Sequence, residues 1–195
     1  MARALSGLVL TGGQSRRMGT DKALLRNDGE SQVARAVRLL GTVCDQVFVS
    51  TRANQADEPE RARFPQIVDR YDDLGPVAGI LSAMDERPED DWLVVACDLP
   101  NLSIETLQAL VAARNDDASM VAFRSSHNDL PEPLCAIYAH GSRDAIQGFV
   151  DDGIKCPRKM MINSDTHLLQ QPKPDALDNM NSPDDLARSQ LERVS

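Results

Sequence analysis

The sequence predicts an α/β protein: a three-layer, mostly parallel Rossmann-like sheet with helices on both faces. Three observations carry this. Short apolar runs alternate with segments of helical periodicity in the order β-α-β-β-α-β-α-β, which implies parallel strands joined by crossovers. "WLVVAC", residues 92–97, is apolar along its length, so this strand has both faces covered and lies mid-sheet. "SQVARAVRLL" sets Val33, Ala36, Val37 and Leu40 at i, i+3, i+4 and i+7, the stripe of an amphipathic helix.

The first strand runs from Ser6 to Thr11 and empties into Gly12-Gly13; the helix of residues 31–40 follows. Strands are predicted at Gln46 to Thr51 and Gln66 to Asp69, then a helix from Pro76 to Asp85 entered through Gly75-Pro76. Gly79, early in that helix, costs about 1 kcal/mol relative to Ala. It therefore marks a close approach, either by a ligand or by a neighbouring strand. Trp92 to Cys97 forms the central strand, and Ser103 caps a helix reaching Arg114. Strands at Ser119 to Phe123 and Leu134 to His140 precede a helix from Ser142 to Asp151. "QQPKPDALD" is a loop leading to a last helix, Pro183 to Leu191, with Ser182 as N-cap and Pro183 at its first position.

The 195 residues suit a single domain spanning 1–195. Cys44, Cys97, Cys135 and Cys156 show no C-x-x-C spacing, so free thiols are expected rather than a zinc ribbon or disulfide framework. Cys97 reads as a buried thiol, because His127, His140 and His167 form no recognisable pairing with it. No run of 18 uncharged apolar residues and no leader pattern occurs, so a cytoplasmic protein without membrane attachment is expected. A net charge of -9 speaks against nucleic acid as a partner, since that needs an extended basic face.

Against this acidic background two basic clusters stand out: Arg16, Arg17 and Lys22 in "LTGGQSRRMGTDK", and Lys155, Arg158 and Lys159 in "IKCPRKMMIN". In an open parallel sheet, ligands bind beyond the carboxyl ends of the strands. Four such ends carry polar or glycine residues: Thr11-Gly12-Gly13, Ser50, Asp69 and Asp98. Paired glycines let backbone amides approach a phosphate, with the neighbouring cations neutralising it. Neither G-x-x-x-x-G-K-[ST] nor G-x-G-x-x-G is present, so the NTPase and dinucleotide loops are excluded. Asp98, at the end of a wholly apolar run, is suited to Mg²⁺, which takes one or two carboxylates and completes its shell with water and phosphate. An ordinary glycine turn and a simple strand-to-helix turn remain the alternatives for these two features taken singly.

Together the residues resemble the molybdenum cofactor guanylyltransferases, within the wider nucleotidyltransferase superfamily. "LTGGQSRRMGTDK" is similar to the signature L-[AT]-G-G-x-S-x-R-M-G-x-D-K, and "GPVAGI", "CDLP", "EPLCAIY" and "NMNSPDDL" resemble later motifs in the same order. The resemblance implies the nucleotidyltransferase fold, with Leu10, Thr11, Gly12 and Gly13 on the nucleotide and Arg17 and Lys22 on its triphosphate. It further implies Mg²⁺ on Asp98, guanine read by Asp69, and Asn179 and Asn181 beside the active site. Ser50 stands where well-known members carry an asparagine that contacts the nucleotide. The implied reaction joins GTP to molybdopterin, giving the guanine dinucleotide and pyrophosphate. Lys155, Arg158, Lys159 and Asn163 then become candidates for the pterin side, and a molybdoenzyme or its chaperone the expected recipient. The alternatives are a transferase using CTP or another acceptor such as a sugar phosphate, and a non-catalytic nucleotide-binding cofactor carrier.

Overall fold

The computed structural model describes residues 3–11, 21–115 and 117–180. Its strands are β1 (Leu5–Leu10), β2 (Arg26–Asn27), β3 (Glu30–Ser31), β4 (Gln46–Thr51), β5 (Gln66–Val68), β6 (Asp91–Ala96), β7 (Met120–Arg124), β8 (Pro131–Tyr138) and β9 (Thr166–Leu169). Its helices are α1 (Gln32–Leu40), α2 (Pro76–Glu86), α3 (Ile104–Ala112), α4 (Arg143–Asp151) and α5 (Pro157–Ile162). Seven strands make one sheet in the order β5-β4-β1-β6-β8-β7-β9, while β2 and β3 form a separate hairpin. β5, β4, β1 and β6 are mutually parallel, and β7 and β9 are parallel to each other. Only β8 is reversed, antiparallel to both its neighbours.

The apolar runs dictate this layering. Every residue of β1 and β6 is buried, as expected of central strands covered on both faces. Their side chains alternate between two cores. Leu5, Val9, Leu93 and Val95 face Ala36, Leu39 and Leu40 of α1 and Leu107 and Leu110 of α3. Leu8, Trp92 and Val94 face Val77, Ile80 and Leu81 of α2, Ile146 of α4 and Met160 of α5. The helices begin where the sequence places their caps. Ser31 Oγ accepts from Ala34 N at 3.1 Å, and Ser103 Oγ accepts from Thr106 N at 3.3 Å. Among the described residues, no helix is long and apolar enough to cross a membrane.

Several expectations are corrected. β1 and β6 end one residue early, leaving Thr11 and Cys97 just beyond them. β8 starts at Pro131 rather than Leu134 and stops at Tyr138, because His140 opens a short 3₁₀ turn. The edge strand β9, the hairpin and α5 were not expected. "QQPKPDALD" is a loop as predicted, yet Ala176 and Leu177 within it join the core. The helix expected at Pro183 to Leu191 lies outside the described residues, as does its cap Ser182.

Candidate active site

The parallel strands β1, β4, β5 and β6 end along one edge of the sheet, so the residues that leave them are neighbours. Thr11 follows β1 directly and Asp69 follows β5; Asp98 comes two residues after β6, and Ser50 is the penultimate residue of β4. Thr11 is buried, with its N–H and Oγ1 both donating to the Ser50 carbonyl, at 3.4 and 2.7 Å. Leu10 is buried immediately before it. Gly12, Gly13, Arg16, Arg17 and Asn181 lie outside the described residues.

Lys22 and Asp98, distant in sequence, meet: Lys22 Nζ donates to Asp98 Oδ2 at 3.0 Å, with about a fifth or less of either side chain exposed. Lys22 reaches that point from a 3₁₀ turn, Lys22–Leu24, capped by Asp21, whose Oδ1 accepts from Ala23 N at 3.1 Å. The backbone around Asp98 is fixed from two sides. Arg35 of α1 donates to the carbonyls of Leu99 and Leu102, at 3.3 and 2.5 Å. Met180 N donates to the Asp98 carbonyl at 3.0 Å, which brings the exposed Asn179 beside this corner.

The third group is Ser50 with Asp69. Ser50 Oγ donates to Asp69 Oδ1 at 2.7 Å, and the serine is buried. Burial raises the Asp69 pKa above the ordinary aspartate range, opposed by that hydrogen bond and by the charge of Arg52. Gly79 explains itself here. A Cβ on Gly79 would lie 2.4 Å from Ser50 Oγ and 2.8 Å from Leu10 Cδ2, so the glycine lets α2 press against β1 and β4. Of the two readings the sequence left open, crowding by a neighbouring strand is the one observed. Gly75, at φ +57°, provides the left-handed turn before Pro76.

The second basic cluster spans the start of α5. Arg158 Nε donates to the Pro131 carbonyl at 2.9 Å, and its Nη2 lies 3.2 Å from Glu132. Lys155 and Lys159 are exposed, and the Asn163 amide donates to the Lys159 carbonyl at 2.7 Å, closing α5. The antiparallel register, with Trp92 opposite Tyr138 and Val95 opposite Cys135, brings the start of β8 to the edge where β6 ends. Arg158, engaged by the start of β8, is thereby tied to the same rim.

Cys97 is half-buried; burial, and then the charges of Asp98 and Asp21, raise its pKa above the thiol range, only partly offset by Arg61 and Lys22, which disfavours the reactive thiolate. His127 pairs instead with Asp178 at 2.8 Å, and His140 with Asp91. Sequence reasoning missed Arg61 altogether. It lies in "EPERARFPQ", a stretch so charged that it reads as solvated, yet its side chain is 1% exposed. Among the described residues no cluster of three or more His, Cys, Asp or Glu is placed to hold a metal. Asp98 with its oxygen donors suits a hard cation shared with phosphate.

A mostly parallel sheet whose carboxyl edge gathers a lysine–carboxylate pair and a half-buried carboxylate is of the class of α/β folds that bind ligands beyond the strand ends. Comparisons with known proteins narrow this. Residues 7–167 match the model of the MobA-like NTP transferase domain. A Synechocystis protein named molybdenum cofactor biosynthesis bifunctional protein is 36% identical over 184 residues, covering 93% of this chain and 52% of that protein. The chain thus spans about half the length of that relative. The molybdenum cofactor guanylyltransferase of Shewanella frigidimarina is 30% identical over 155 residues, 78% of each chain. The crystal structure of molybdopterin-guanine dinucleotide biosynthesis protein A from Archaeoglobus fulgidus has the same fold: TM-score 0.79, 23% identity, covering 95% of this chain and 96% of that one. The chain belongs to the MobA-like NTP transferase family.

Proposed function

We propose that the protein transfers GMP from GTP to the terminal phosphate of molybdopterin, forming the guanine dinucleotide cofactor and releasing pyrophosphate. The observation that carries this is the Lys22–Asp98 pair at the carboxyl edge, beyond β6 and so next to the Thr11 exit of β1, with the Asp69 exit of β5 on the other side of β1. Molybdopterin and GTP are the substrates that the names of the relatives suggest. A molybdoenzyme or its chaperone is the recipient in this reading.

The acceptor phosphate attacks the α-phosphorus in line: a P–O bond to the acceptor forms, the bond to the β-phosphate bridging oxygen breaks, and pyrophosphate leaves. Such a transfer asks for alignment and charge neutralisation rather than a side-chain nucleophile. Lys22, with Arg17, takes the charge of the departing pyrophosphate. Leu10, Thr11, Gly12 and Gly13 line the nucleotide. Asp98 would hold Mg²⁺, which when bound neutralises triphosphate charge. Asp69 accepts the N–H donors of guanine, its second carboxylate oxygen fixed by Ser50. Lys155, Arg158 and Lys159, with Asn163, Asn179 and Asn181, form the pterin side of the rim.

Ser50 favours a second reading, in which another base is used: its hydroxyl is donated to Asp69, so it offers the nucleotide less than an asparagine would. Purified protein incubated with Mg²⁺, molybdopterin and GTP, CTP or ATP in turn decides between them by product mass. A GMP adduct with pyrophosphate formed from GTP alone is expected. A CMP adduct, or binding without pyrophosphate release, would refute the proposal.

A further inference from the structure

Arg61 sits in a 3₁₀ turn, Arg61–Arg63, between β4 and β5, and every nitrogen of its guanidinium has a partner. Nε donates to Thr11 Oγ1 at 3.0 Å, and Nη2 to the Thr11 carbonyl at 3.3 Å and to Asp21 Oδ2 at 2.7 Å. Nη1 donates to Glu58 Oε2 at 3.3 Å. The directions are mutually consistent. Thr11 Oγ1 gives its proton to the Ser50 carbonyl, leaving a lone pair for Arg61, and Asp21 turns its other oxygen to Ala23 N. One planar fork thus bridges Thr11 and Asp21.

We propose that Arg61 is a positioning residue for nucleotide binding: it sets the separation of Thr11 and Asp21, and through the Asp21 cap it aims Lys22 at Asp98. The inference rests on the nucleotide reading of Thr11 and Lys22 given above. Its logic is one of chemistry and geometry. A buried guanidinium is expensive to desolvate, and apolar side chains replacing a whole buried ion pair often support a fold as well or better. Only a planar, multi-donor group can reach a hydroxyl, a carbonyl and a carboxylate at once, and lysine, as a point charge, cannot. The arrangement therefore serves register between two chain segments more than cohesion of the core.

The test compares full-length Arg61→Lys, Arg61→Met and Arg61→Ala with a control, Arg63→Met, whose side chain is 60% exposed. Melting temperature reports the fold. Dissociation constants for GTP and for inorganic tripolyphosphate, a base-independent probe, report the site, and the Michaelis constant for molybdopterin reports the other half. The expected result is a rise of about tenfold in both dissociation constants for Arg61→Lys and Arg61→Met, the scale of one charge-assisted hydrogen bond. Melting stays cooperative, and the molybdopterin constant and Arg63→Met are unaffected. Added guanidinium ion restores tripolyphosphate binding to Arg61→Ala, whereas ammonium does not. Where Arg61 variants fold poorly, Asp21→Asn carries the same test, with an increase in both constants expected. Unchanged affinity for both probes in folded variants, or loss on both substrate sides in proportion to unfolded protein, overturns the inference. A wild-type protein that binds tripolyphosphate but releases no pyrophosphate from GTP defeats the transferase reading instead, and leaves the effect of Arg61 measurable.

Discussion

Lys22 Nζ rests 3.0 Å from Asp98 Oδ2, a contact between the turn that follows 12–20 and the loop that leaves the central strand. In the proposed reaction both groups serve phosphate, so their pairing keeps two opposite charges preorganised at low cost until substrate separates them.

Asp98→Asn should reduce turnover at least about 100-fold while the protein still melts cooperatively, because the asparagine oxygen can keep accepting from Lys22 Nζ. Lys22→Ala should weaken GTP binding and slow transfer, again without loss of fold. Steady-state pyrophosphate release beside thermal melting checks both, and wild-type turnover in Asp98→Asn would remove that residue from the chemistry.

Gly79→Ala should destabilise the fold by about 1–2 kcal/mol even though alanine is the better helix former, since overpacking outweighs propensity. The new methyl would strike Ser50 Oγ and Leu10 Cδ2. Combining it with Ser50→Ala removes the nearest atom, and part of the lost stability should return in urea denaturation.

Asp69→Asn should separate function from stability. Burial raises this carboxyl above the ordinary range, so the folded state holds its proton more tightly than the unfolded chain does. Its effect therefore favours the fold as pH falls, and is unfavourable once pH rises above the folded value. The asparagine variant should melt no lower than wild type at neutral pH, yet bind GTP more weakly. A marked drop in melting temperature would mean that the ionised carboxylate supports the fold.

His127 and Asp178 join the loop after β7 to residues 175–180. The hydrogen bond from Asp178, and its charge, raise the His127 pKa above the usual imidazole value. The tie is present below the unfolded pKa and is lost as pH rises through the folded one. Hydrogen exchange of residues 175–180 should accelerate over that rise and should be insensitive to pH in His127→Gln, after correction for intrinsic chemical exchange.

Lys155→Ala and Lys159→Ala should each raise the Michaelis constant for molybdopterin a few-fold, about 1 kcal/mol per lost charge contact, and leave that for GTP unchanged. Arg158→Ala should do the same and also lower the melting temperature, because it frees Glu132 and the Pro131 carbonyl. An unmoved molybdopterin constant in all three would assign the cluster to plain surface.

Local pattern made most of the fold legible. A short, wholly apolar run such as Trp92 to Ala96 suits a central strand covered on both faces, and Ser31 and Ser103 cap through the residue three positions on. β9 escaped because four residues of an edge strand, partly exposed, leave little alternation to read. α5 escaped because its six residues, with two adjacent cations among four apolar side chains, are too few to show a helical period. At the site, Thr11, Asp69 and Asp98 were readable because each follows a strand. Arg61 was not, because its burial depends on Thr11 and Asp21, 50 and 40 positions away, and nothing in "EPERARFPQ" declares those partners.

The hydrogen bond from Met180 N to the Asp98 carbonyl also orders events in time. Asp98 leaves the ribosome 82 residues before the chain that braces it, a delay of about 4–16 s at roughly 5–20 residues per second. A nascent chain can thus assemble β1, β4, β5 and β6 early, while the Asp98 corner stays unbraced until Met180 has emerged.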